Sequence, residues 1–220
     1  YKSKFEVNIV EKTSEILNNS KIFNREEAEK TIAKKHINLM KNYSVVEIND
    51  EQILLSNNLN QVEKFPYFDV IWTAGIKPNL PEFNQQIQKI NNKILINNNL
   101  QLHDYPNIFV LGDISQVESN NSYPVTAQVA MQQGEHVALN LKLLINNEKL
   151  LPFKFNDNGE MMSLGIGEAS ISGLGLTFSG KLAYDLRRII YASKMPKIGK
   201  SLKSTTSWFL EKKSIFKGIL

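Results

Sequence analysis

The fold class follows from one stretch of the sequence, Ile108-Phe-Val-Leu-Gly-Asp113. Its four apolar residues are continuous, which is typical of a parallel β-strand buried on both faces. We therefore predict a strand over residues 107–111 that stops at Gly112. Ligands bind at the carboxyl edge of doubly wound sheets, where Gly112 permits close backbone approach and Asp113 can accept hydrogen bonds from sugar or ribityl hydroxyls. A simple strand-ending turn explains the same residues equally well.

A helix is predicted after this stretch, over residues 126–145. Small and apolar residues recur on one of its faces, and they are Ala127, Ala130, Gly134, Ala138, Leu141 and Ile145. Small side chains let a helix lie close to a sheet, so we predict that this face is buried. Because strands then alternate with helices, the chain is predicted to be an α/β protein with a largely parallel sheet.

The start of the same helix is a candidate binding site. Its first residues, Ala127 and Gln128, lie at the partially positive end of the helix, which can stabilise the electron-rich pyrimidine edge of a reduced flavin. Gln128 and Gln132 are four residues apart and therefore leave the same face. Neutral amides at these positions can hydrogen-bond a quinone carbonyl or a nicotinamide amide. The alternative is that both are polar residues on a solvated face.

The composition is that of a globular protein and excludes several kinds of site. Apolar residues make up 42% and charged residues 22% of the 220 residues. No apolar run approaches the ~20 residues of a membrane-spanning helix. The chain has no cysteine, which excludes disulfides, cysteine-ligated metal clusters and thiol catalysis within it. Its three scattered histidines predict no metal site.

Charge is divided unevenly along the chain. Residues 1–179 have 16 Lys and Arg against 20 Asp and Glu, whereas residues 180–220 have 10 against 2. A basic tail on an acidic body indicates an anionic partner, either nucleic acid or lipid headgroups, unless the tail is simply solvated. Lipid is favoured by the aromatic and aliphatic residues near the chain end, Trp208, Phe209, Ile215, Phe216, Ile219 and Leu220. We predict that residues 180–220 contact an anionic membrane surface, with the anchor proper in residues 201–220.

Shorter elements are predicted on either side of these features. Strands are expected over residues 5–10, 43–48, 52–55, 68–72 and 93–96, and a helix is expected to start at Asn24 as its N-cap. Beyond Pro152, residues 153–155 and 161–172 are expected to form antiparallel strands around Asp157-Asn158-Gly159. An amphipathic helix is predicted over residues 181–192, with its apolar stripe packed on those strands: Leu182, Leu186, Ile189 and Ile190.

Several segments together resemble one family, the type II NADH dehydrogenases of the FAD-dependent pyridine nucleotide-disulfide oxidoreductase superfamily. Ile108–Asp113 is similar to its second flavin-binding motif, and residues 124–134 are similar to its Ala-Gln-x-x-x-Gln quinone motif. Phe68–Gly75 resembles the closing strand of the NADH domain, and residues 162–183 resemble the C-terminal domain. The resemblance extends over nearly all of the chain and points to the cyanobacterial and plastid branch.

The resemblance implies an FAD-dependent oxidoreductase that passes electrons from NADH to a membrane quinone without pumping protons. FAD and NADH are the implied cofactors. Gly112 and Asp113 are expected to contact the ribityl chain of the flavin, and the Ala127 and Gln128 backbone its ring. Gln128 and Gln132 are expected to orient the quinone or the nicotinamide.

Two further segments are implied to bind NADH. Thr73, Ala74 and Gly75 are expected to approach the nicotinamide through their backbone. Glu11 matches the acid that ends the family's second NADH-domain strand and bonds the adenosine ribose hydroxyls. A carboxylate there repels the 2′-phosphate of NADPH, although the neighbouring Lys12 weakens that selectivity.

The sequence departs from the complete family pattern. The two Gly-rich dinucleotide fingerprints, one for FAD and one for NADH, do not occur in it, so the ADP half of FAD and the NADH pyrophosphate lack their main contacts. The chain begins at Tyr1, and we interpret it as the later half of a longer protein. A non-catalytic scaffold that has lost these loops is the alternative function. Sulfide:quinone and disulfide reductases are disfavoured because they use redox cysteines.

Three domains are expected under this interpretation. Residues 1–80 belong to the NADH-binding domain, residues 81–150 to the FAD-binding domain, and residues 151–220 to a small α+β membrane-anchoring domain. The protein is thus predicted to be an α/β flavoprotein with two Rossmann-like dinucleotide-binding domains. It is expected at the periphery of a bacterial cytoplasmic, plastid, thylakoid or mitochondrial membrane. A homodimer is left open, and nucleic acid is not expected as a partner.

Overall fold

The computed structural model describes residues 6–118, 123–195, 197, 199–203 and 205–206. These residues form two compact units. One unit consists of the described residues of Tyr1–Val70 and Asn158–Leu220, and the other is Ile71–Asp157.

The described chain contains runs of consecutive strands with α-helices between and after them. The strands, numbered in chain order, are β1 Asn8–Glu11, β2 Asn38–Lys41, β3 Tyr43–Ile48, β4 Gln52–Asn57, β5 Val62–Pro66, β6 Lys89–Ile90, β7 Lys93–Ile96, β8 Ser115–Val117, β9 Glu160–Gly165, β10 Glu168–Gly173 and β11 Leu176–Ser179. The helices are α1 Ile22–Lys34, α2 Ala127–Ile145 and α3 Gly180–Ser193, and a 3-10 turn spans Gly112–Ile114. The predicted strands near residues 5–10, 43–48, 52–55 and 93–96 and the helices over 126–145 and 181–192 are confirmed.

β1, α1 and β2 form a βαβ unit. β1 and β2 are parallel neighbours, in register from Asn8 opposite Asn38 to Glu11 opposite Lys41. A parallel pair needs a crossover connection, and α1 supplies it. This unit confirms the α/β class and puts Glu11 at the carboxyl end of β1. The predicted largely parallel sheet is wrong for the described residues, because β1–β2 and β7–β8 are parallel pairs and the other strand pairs are antiparallel.

The N-cap prediction for α1 is wrong. Asn24 lies inside the first turn and is fully buried, while Lys21 takes the N-cap position without a side-chain hydrogen bond. The Glu160 carboxylate acts there instead, because its Oε2 accepts from the Lys21 N–H at 2.9 Å and from Asn24 Nδ2 at 2.8 Å. A negative charge is favourable at this end of a helix. Glu160 is 136 residues from Asn24, so no local pattern could reveal it.

Residues 68–72 do not form the predicted strand. β3, β4 and β5 make an antiparallel sheet, β1 pairs with β2, and residues 68–72 belong to neither sheet. Ile71 is 86% exposed, and Phe68 and Trp72 are also exposed, so this segment is not part of the core either. A continuous apolar strand is stable only where neighbouring strands bond its backbone and other elements cover its faces. No sheet of the described residues does so for this segment.

β9, β10 and β11 form an antiparallel meander. The chain reverses between β9 and β10 at Ile166-Gly167, and not around Asp157-Asn158-Gly159 as predicted. Residues 153–155 are not a strand either, because Phe153 buries its ring in the core of the Ile71–Asp157 unit and its N–H bonds the Asn98 carbonyl oxygen at 2.8 Å. Residues 153–155 are therefore held by tertiary contacts with the core rather than by pairing in a hairpin.

α3 packs against β10 and β11 through small residues. Ala183 and Ala192 are its buried residues, whereas Leu182 and Ile189 of the predicted stripe are 65% and 61% exposed. The prediction that this stripe packs on the strands is therefore wrong for Leu182 and Ile189. Alanine lets the helix backbone approach the sheet closely, and Leu182 and Ile189 point toward solvent, whereas Leu186 and Ile190 are half-buried.

Gly159 and Gly173 lie against each other where the chain enters β9 beside the end of β10. Gly159 has a φ of +106°, and a Cβ on it would lie 2.5 Å from the Ser172 carbonyl oxygen and closer still to Gly173 Cα. Gly159→Ala is therefore expected to destabilise the full-length protein by roughly 3 kcal/mol and to lower its Tm. Thermal unfolding measures this fall.

Gly167→Ala is the matched control, because Gly167 also has a positive φ (+77°) but nothing lies within 4 Å of its added Cβ. It should cost about 1 kcal/mol from backbone strain alone. Equal losses in the two variants would show that the close approach at Gly159 is unimportant.

The unit Ile71–Asp157 is built around a small mixed sheet. β7 is central, antiparallel to β6 and parallel to β8. The buried core residues around it are Ile94, Ile96, Leu100, Leu102, Val110, Val117, Val137 and Phe153. Residues 107–111 are not the predicted parallel strand, because an antiparallel bridge joins Phe109 to Gln101 and the Val110 N–H bonds the Leu100 carbonyl oxygen at 2.9 Å. Val110 is buried as predicted, but a nearby loop, rather than a parallel strand, bonds its backbone.

α2 buries a different face from the one predicted. Its buried residues are Val129, Gln133, Val137 and Asn140, whereas Ala127, Ala138, Leu141 and Ile145 are exposed. Of the predicted face, Ala130 and Gly134 do lie against neighbouring residues, Gly112 and Leu111. The buried face contains two amides because each bonds the backbone of a loop, which an apolar pattern does not encode.

The predicted anchor lies largely outside the described residues, since residues 204 and 207–220 are not among them. The backbone is helical at 199–203 and 205–206. In the part of the chain that the structure describes, no helix has the length and apolar character needed to span a membrane.

Candidate flavin-binding site

The backbone turn at Gly112 is the centre of the candidate site. The chain is extended at Leu111 and then reverses direction at Gly112, whose φ of +75° lies in the left-handed region that favours glycine. Ser115 closes the turn, because its N–H and its hydroxyl both donate to the Gly112 carbonyl oxygen, the hydroxyl at 2.8 Å. Asp113 lies on this turn with its side chain exposed.

α2 begins beside the turn. Thr126 is the N-cap, and its Oγ1 accepts from the Val129 N–H at 3.3 Å. The helix approaches the turn closely, since a Cβ on Gly112 would lie 3.6 Å from the Ala130 Cβ. Gln133, one turn further, accepts the Gly112 N–H at 2.7 Å through its Oε1. The start of α2 and the Gly112 turn are therefore held together by both packing and a hydrogen bond.

An open cleft lies between the turn and the start of α2. Gly112, Asp113, Ser115, Thr126, Val129 and Gln133 are among the residues that line it. A carboxylate that can accept hydroxyl hydrogen bonds thus lies beside the partially positive end of a helix. The structure brings together Gly112, Asp113 and the first turn of α2, which contains Ala127 and Gln128.

Tyr123 forms part of the wall of this cleft. Its ring packs edge-to-face on Phe153 with centroids 5.1 Å apart, and its hydroxyl donates to the Phe153 carbonyl oxygen at 3.2 Å. Burial raises the pKa of the Tyr123 phenol above its usual value. The phenol therefore stays neutral and acts as a hydrogen-bond donor near neutral pH.

Gln132 makes a two-point contact with the backbone of Asn156. Its Oε1 accepts the Asn156 N–H at 3.0 Å, and its Nε2 donates to the Asn156 carbonyl oxygen at 2.8 Å. Both ends of this amide thus hold the segment that follows Pro152. Gln128 lies one turn earlier on α2 and is half-buried.

Sequence reasoning missed Gln133 and Asn140. Asn140 holds the same segment as Gln132, since it accepts the Leu151 N–H at 3.0 Å and donates to the Leu151 carbonyl oxygen at 2.9 Å. His136 Nε2 lies 2.8 Å from that oxygen. The available signal was that Gln133 and Asn140 share a helical stripe with Val129 and Val137, so that each is a polar residue on an apolar face.

Comparison with known proteins identifies the family. The family model for pyridine nucleotide-disulphide oxidoreductases matches residues 2–134. The chain belongs to this family. It is 31% identical over 211 residues to the demethylphylloquinone reductase NdbB of Synechocystis, covering 92% of this chain and 50% of the relative. It is also 31% identical over 160 residues to a type II NADH:quinone oxidoreductase of Staphylococcus epidermidis, covering 70% of this chain and 37% of the relative.

The fold is similar to that of a solved family structure. NDH2 from Plasmodium falciparum, determined in complex with NADH, superposes with a TM-score of 0.80 at 16% identity over 94% of this chain and 58% of that one. At this identity the likeness shows the fold alone. The chain spans about half the length, or less, of the curated relatives it matches.

The end of β1 is the second candidate site in this member of the family, and it lies in the other unit. Glu11 is half-buried, and its Oε1 accepts from the Thr13 N–H at 2.9 Å and from the Thr13 hydroxyl at 2.8 Å. These bonds fix the carboxylate at the carboxyl end of a parallel strand, where nucleotide ligands bind in such folds. Lys41 on β2 lies opposite Glu11 in the parallel register. The Lys41 ammonium, however, pairs with the Glu29 carboxylate at 2.6 Å.

The third predicted segment is an exposed turn. Thr73, Ala74 and Gly75 are all exposed, the Gly75 N–H bonds the Thr73 carbonyl oxygen at 2.9 Å, and Gly75 has a φ of +84°. A Cβ on Gly75 would meet nothing within 4 Å. This backbone is therefore open to the approach of another group.

Proposed function

We propose that this chain is part of an FAD-dependent oxidoreductase that transfers electrons from NADH to a membrane quinone without pumping protons. The observation that supports it most is the cleft in which Gly112 and Asp113 meet the start of α2. The family and its relatives, a demethylphylloquinone reductase of Synechocystis and an NADH:quinone oxidoreductase of Staphylococcus epidermidis, favour this enzyme over a non-catalytic scaffold. The chain has no cysteine, so electrons do not pass through thiols of this chain.

The residues of the cleft fit the flavin half of FAD. The left-handed turn at Gly112 presents backbone without a side chain, the exposed Asp113 carboxylate can accept hydrogen bonds from ribityl hydroxyls, and the N-terminus of α2 favours an electron-rich ring edge. Bound FAD supplies the redox chemistry, as acceptor of hydride from NADH and donor of two electrons to quinone. In this proposal Ala127 and Gln128 contact the flavin ring through their backbone.

NADH is proposed to contact the other two segments. The Glu11 carboxylate, held by Thr13, accepts hydrogen bonds from the adenosine ribose hydroxyls and disfavours the 2′-phosphate of NADPH by charge repulsion. The exposed backbone of Thr73-Ala74-Gly75 contacts the nicotinamide. These assignments make NADH the preferred reductant.

Membrane attachment is proposed for residues 180–220, within the proposed membrane-anchoring domain of residues 151–220. The exposed Leu182 and Ile189 give α3 an apolar outer face. The basic residues around and after it can meet anionic headgroups. Attachment at the periphery of a bacterial or organelle membrane gives the enzyme access to a lipid-soluble quinone. The proposed NADH-binding and FAD-binding parts are residues 1–80 and 81–150.

The half-reactions of the full-length protein test the proposed function. NADH should bleach the bound flavin in an anaerobic stopped-flow trace, and a quinone should restore its absorbance. In Gln128→Ala and Gln132→Ala we expect the KM for quinone to rise about tenfold, since one hydrogen bond is lost, while flavin reduction by NADH stays within about twofold. For Gln132 the proposed quinone donor is the second hydrogen of Nε2, since the first bonds the Asn156 carbonyl oxygen. Gln132→Ala should also lower Tm, because Gln132 holds Asn156.

Gln85→Ala removes an exposed amide from the same unit and serves as the control. Wild-type rates in both half-reactions of the Gln128 and Gln132 variants would mean that neither amide contacts quinone. A full-length protein without flavin absorbance would contradict the proposed function as a whole.

A further inference from the structure

Gln133 is a buried amide on α2 to which the proposed function gives no role. It is 2% exposed, yet it lines the cleft and its Oε1 accepts the Gly112 N–H at 2.7 Å. Its sequence neighbour Gln132 faces away to Asn156, so the two amides of the pair serve different loops. Gln133 is the residue through which α2 holds the backbone that precedes Asp113.

Other residues hydrogen-bond both the N–H and the carbonyl oxygen of Gly112. Gln133 accepts its N–H, and Ser115 donates to its carbonyl oxygen twice, once from the backbone and once from the hydroxyl at 2.8 Å. Gly112 has access to an unusually wide range of backbone conformations, so these bonds are what select the observed φ of +75°. Asp113 follows directly, and the direction of its side chain depends on the conformation of Gly112.

A helix side chain is well suited to this task. α2 is 19 residues long and supported by the core through Val129 and Val137, so the Gln133 amide is fixed by a rigid element. A turn held only by its own residues would fluctuate more, since loops open at lower free energy than packed helices. Catalytic and binding groups held by locked neighbours keep their geometry on ligand binding and avoid the entropy of ordering.

We propose that Gln133 is a positioning residue for the flavin site, and this inference rests on the proposed function. By fixing the Gly112 peptide, it holds Asp113 and the start of α2 in the arrangement that receives the ribityl chain. Its removal lowers flavin affinity without removing any group that contacts the flavin. A purely structural amide in the core would lower stability alone.

The test uses the full-length protein and two readouts, hydrogen exchange at the Gly112 amide and the dissociation constant for FAD. In Gln133→Leu, both the Gly112 exchange rate and the FAD dissociation constant should rise about tenfold, the effect of losing one hydrogen bond. Gln133→Glu keeps an oxygen acceptor at the same reach and should bring the Gly112 exchange rate back to within about threefold of wild type. Exchange measured without added FAD reports on the turn independently of activity.

Asn140→Leu is the matched control, because it removes an equally buried amide from the same helix that bonds Leu151 instead of Gly112. It should lower Tm without changing Gly112 exchange or flavin affinity. An equal loss of flavin affinity in this control would overturn the proposal. So would a Gln133→Leu protein that binds FAD as tightly as wild type.

Ser115→Ala keeps the test decisive if Gln133→Leu does not fold. It removes the hydroxyl hydrogen bond to the Gly112 carbonyl oxygen and should weaken FAD binding about threefold, whereas unchanged binding would overturn the proposal.

The proposed function and the role of Gln133 can be tested separately. If the wild-type protein binds no flavin, the proposed function fails, and the role of Gln133 fails with it. If Asp113→Ala loses flavin and Gln133→Leu does not, the role of Gln133 fails alone.

Discussion

Asp113→Ala in the full-length protein is expected to weaken FAD binding about 10- to 150-fold with little change in Tm. A hydrogen bond to a charged group contributes roughly 1.5–3 kcal/mol, and that loss corresponds to this range. The side chain is exposed on a turn whose hydrogen bonds come from Gly112, Ser115 and Gln133, so its removal leaves the fold intact. Flavin absorbance after extensive dialysis and titration of the apoprotein with FAD measure the effect.

Asp104→Ala is the control for this prediction, since Asp104 is an exposed aspartate in the same unit that does not line the cleft. It should retain wild-type flavin content. Asp113→Asn keeps an acceptor oxygen without the charge, so its FAD affinity should lie between those of Asp113→Ala and Asp104→Ala. Unchanged flavin content in Asp113→Ala, or an equal loss of flavin in Asp104→Ala, would show that Asp113 does not bind the ribityl chain.

Deletion of residues 201–220 is expected to release the full-length protein from anionic liposomes. Its basic side chains include Lys203, Lys212, Lys213 and Lys217, each worth about 1 kcal/mol near an anionic surface, so the partition coefficient should fall on the order of several hundred-fold. The truncated protein should still reduce water-soluble quinones but lose long-tailed ones, because only the latter are confined to the bilayer. Liposome sedimentation and parallel quinone assays measure the two effects.

Two variants separate the sources of this binding. Replacing the four lysines by glutamine should weaken the salt dependence of binding, since six of the ten basic residues in 180–220 remain, and should keep the apolar contribution. Leu182→Ser with Ile189→Ser tests the exposed face of α3. If the truncated protein still sediments with liposomes at moderate salt and the α3 variant does not, the anchor is α3 rather than residues 201–220.

The sequence by itself determined the elements whose cause is local. α2 begins at Ala127, directly after its N-cap Thr126, and α3 covers the predicted range, because capping and helical periodicity depend on residues a few positions apart. The α/β class was predicted from the mixture of strands and helices, but β2 at Asn38–Lys41, which completes the β1–α1–β2 unit, was not among the predicted strands. The Gly112-Asp113 turn was also predictable, since an apolar run ending in Gly-Asp indicates a strand-end turn with an exposed carboxylate. Family membership, too, was visible in these motifs.

Tertiary structure alone decided which groups meet across long separations. The apolar run at residues 107–111 predicted burial correctly, but its backbone partner is the loop at Leu100–Leu102 rather than a parallel strand. Gln133 and Asn140 are buried although polar, because loop backbones at Gly112 and Leu151 satisfy their amides. The Glu160 carboxylate caps α1 from 136 residues beyond Asn24. Hydrogen-bond partners of this kind depend on where distant segments meet in space. The periodicity of neighbouring residues does not specify which distant segments meet.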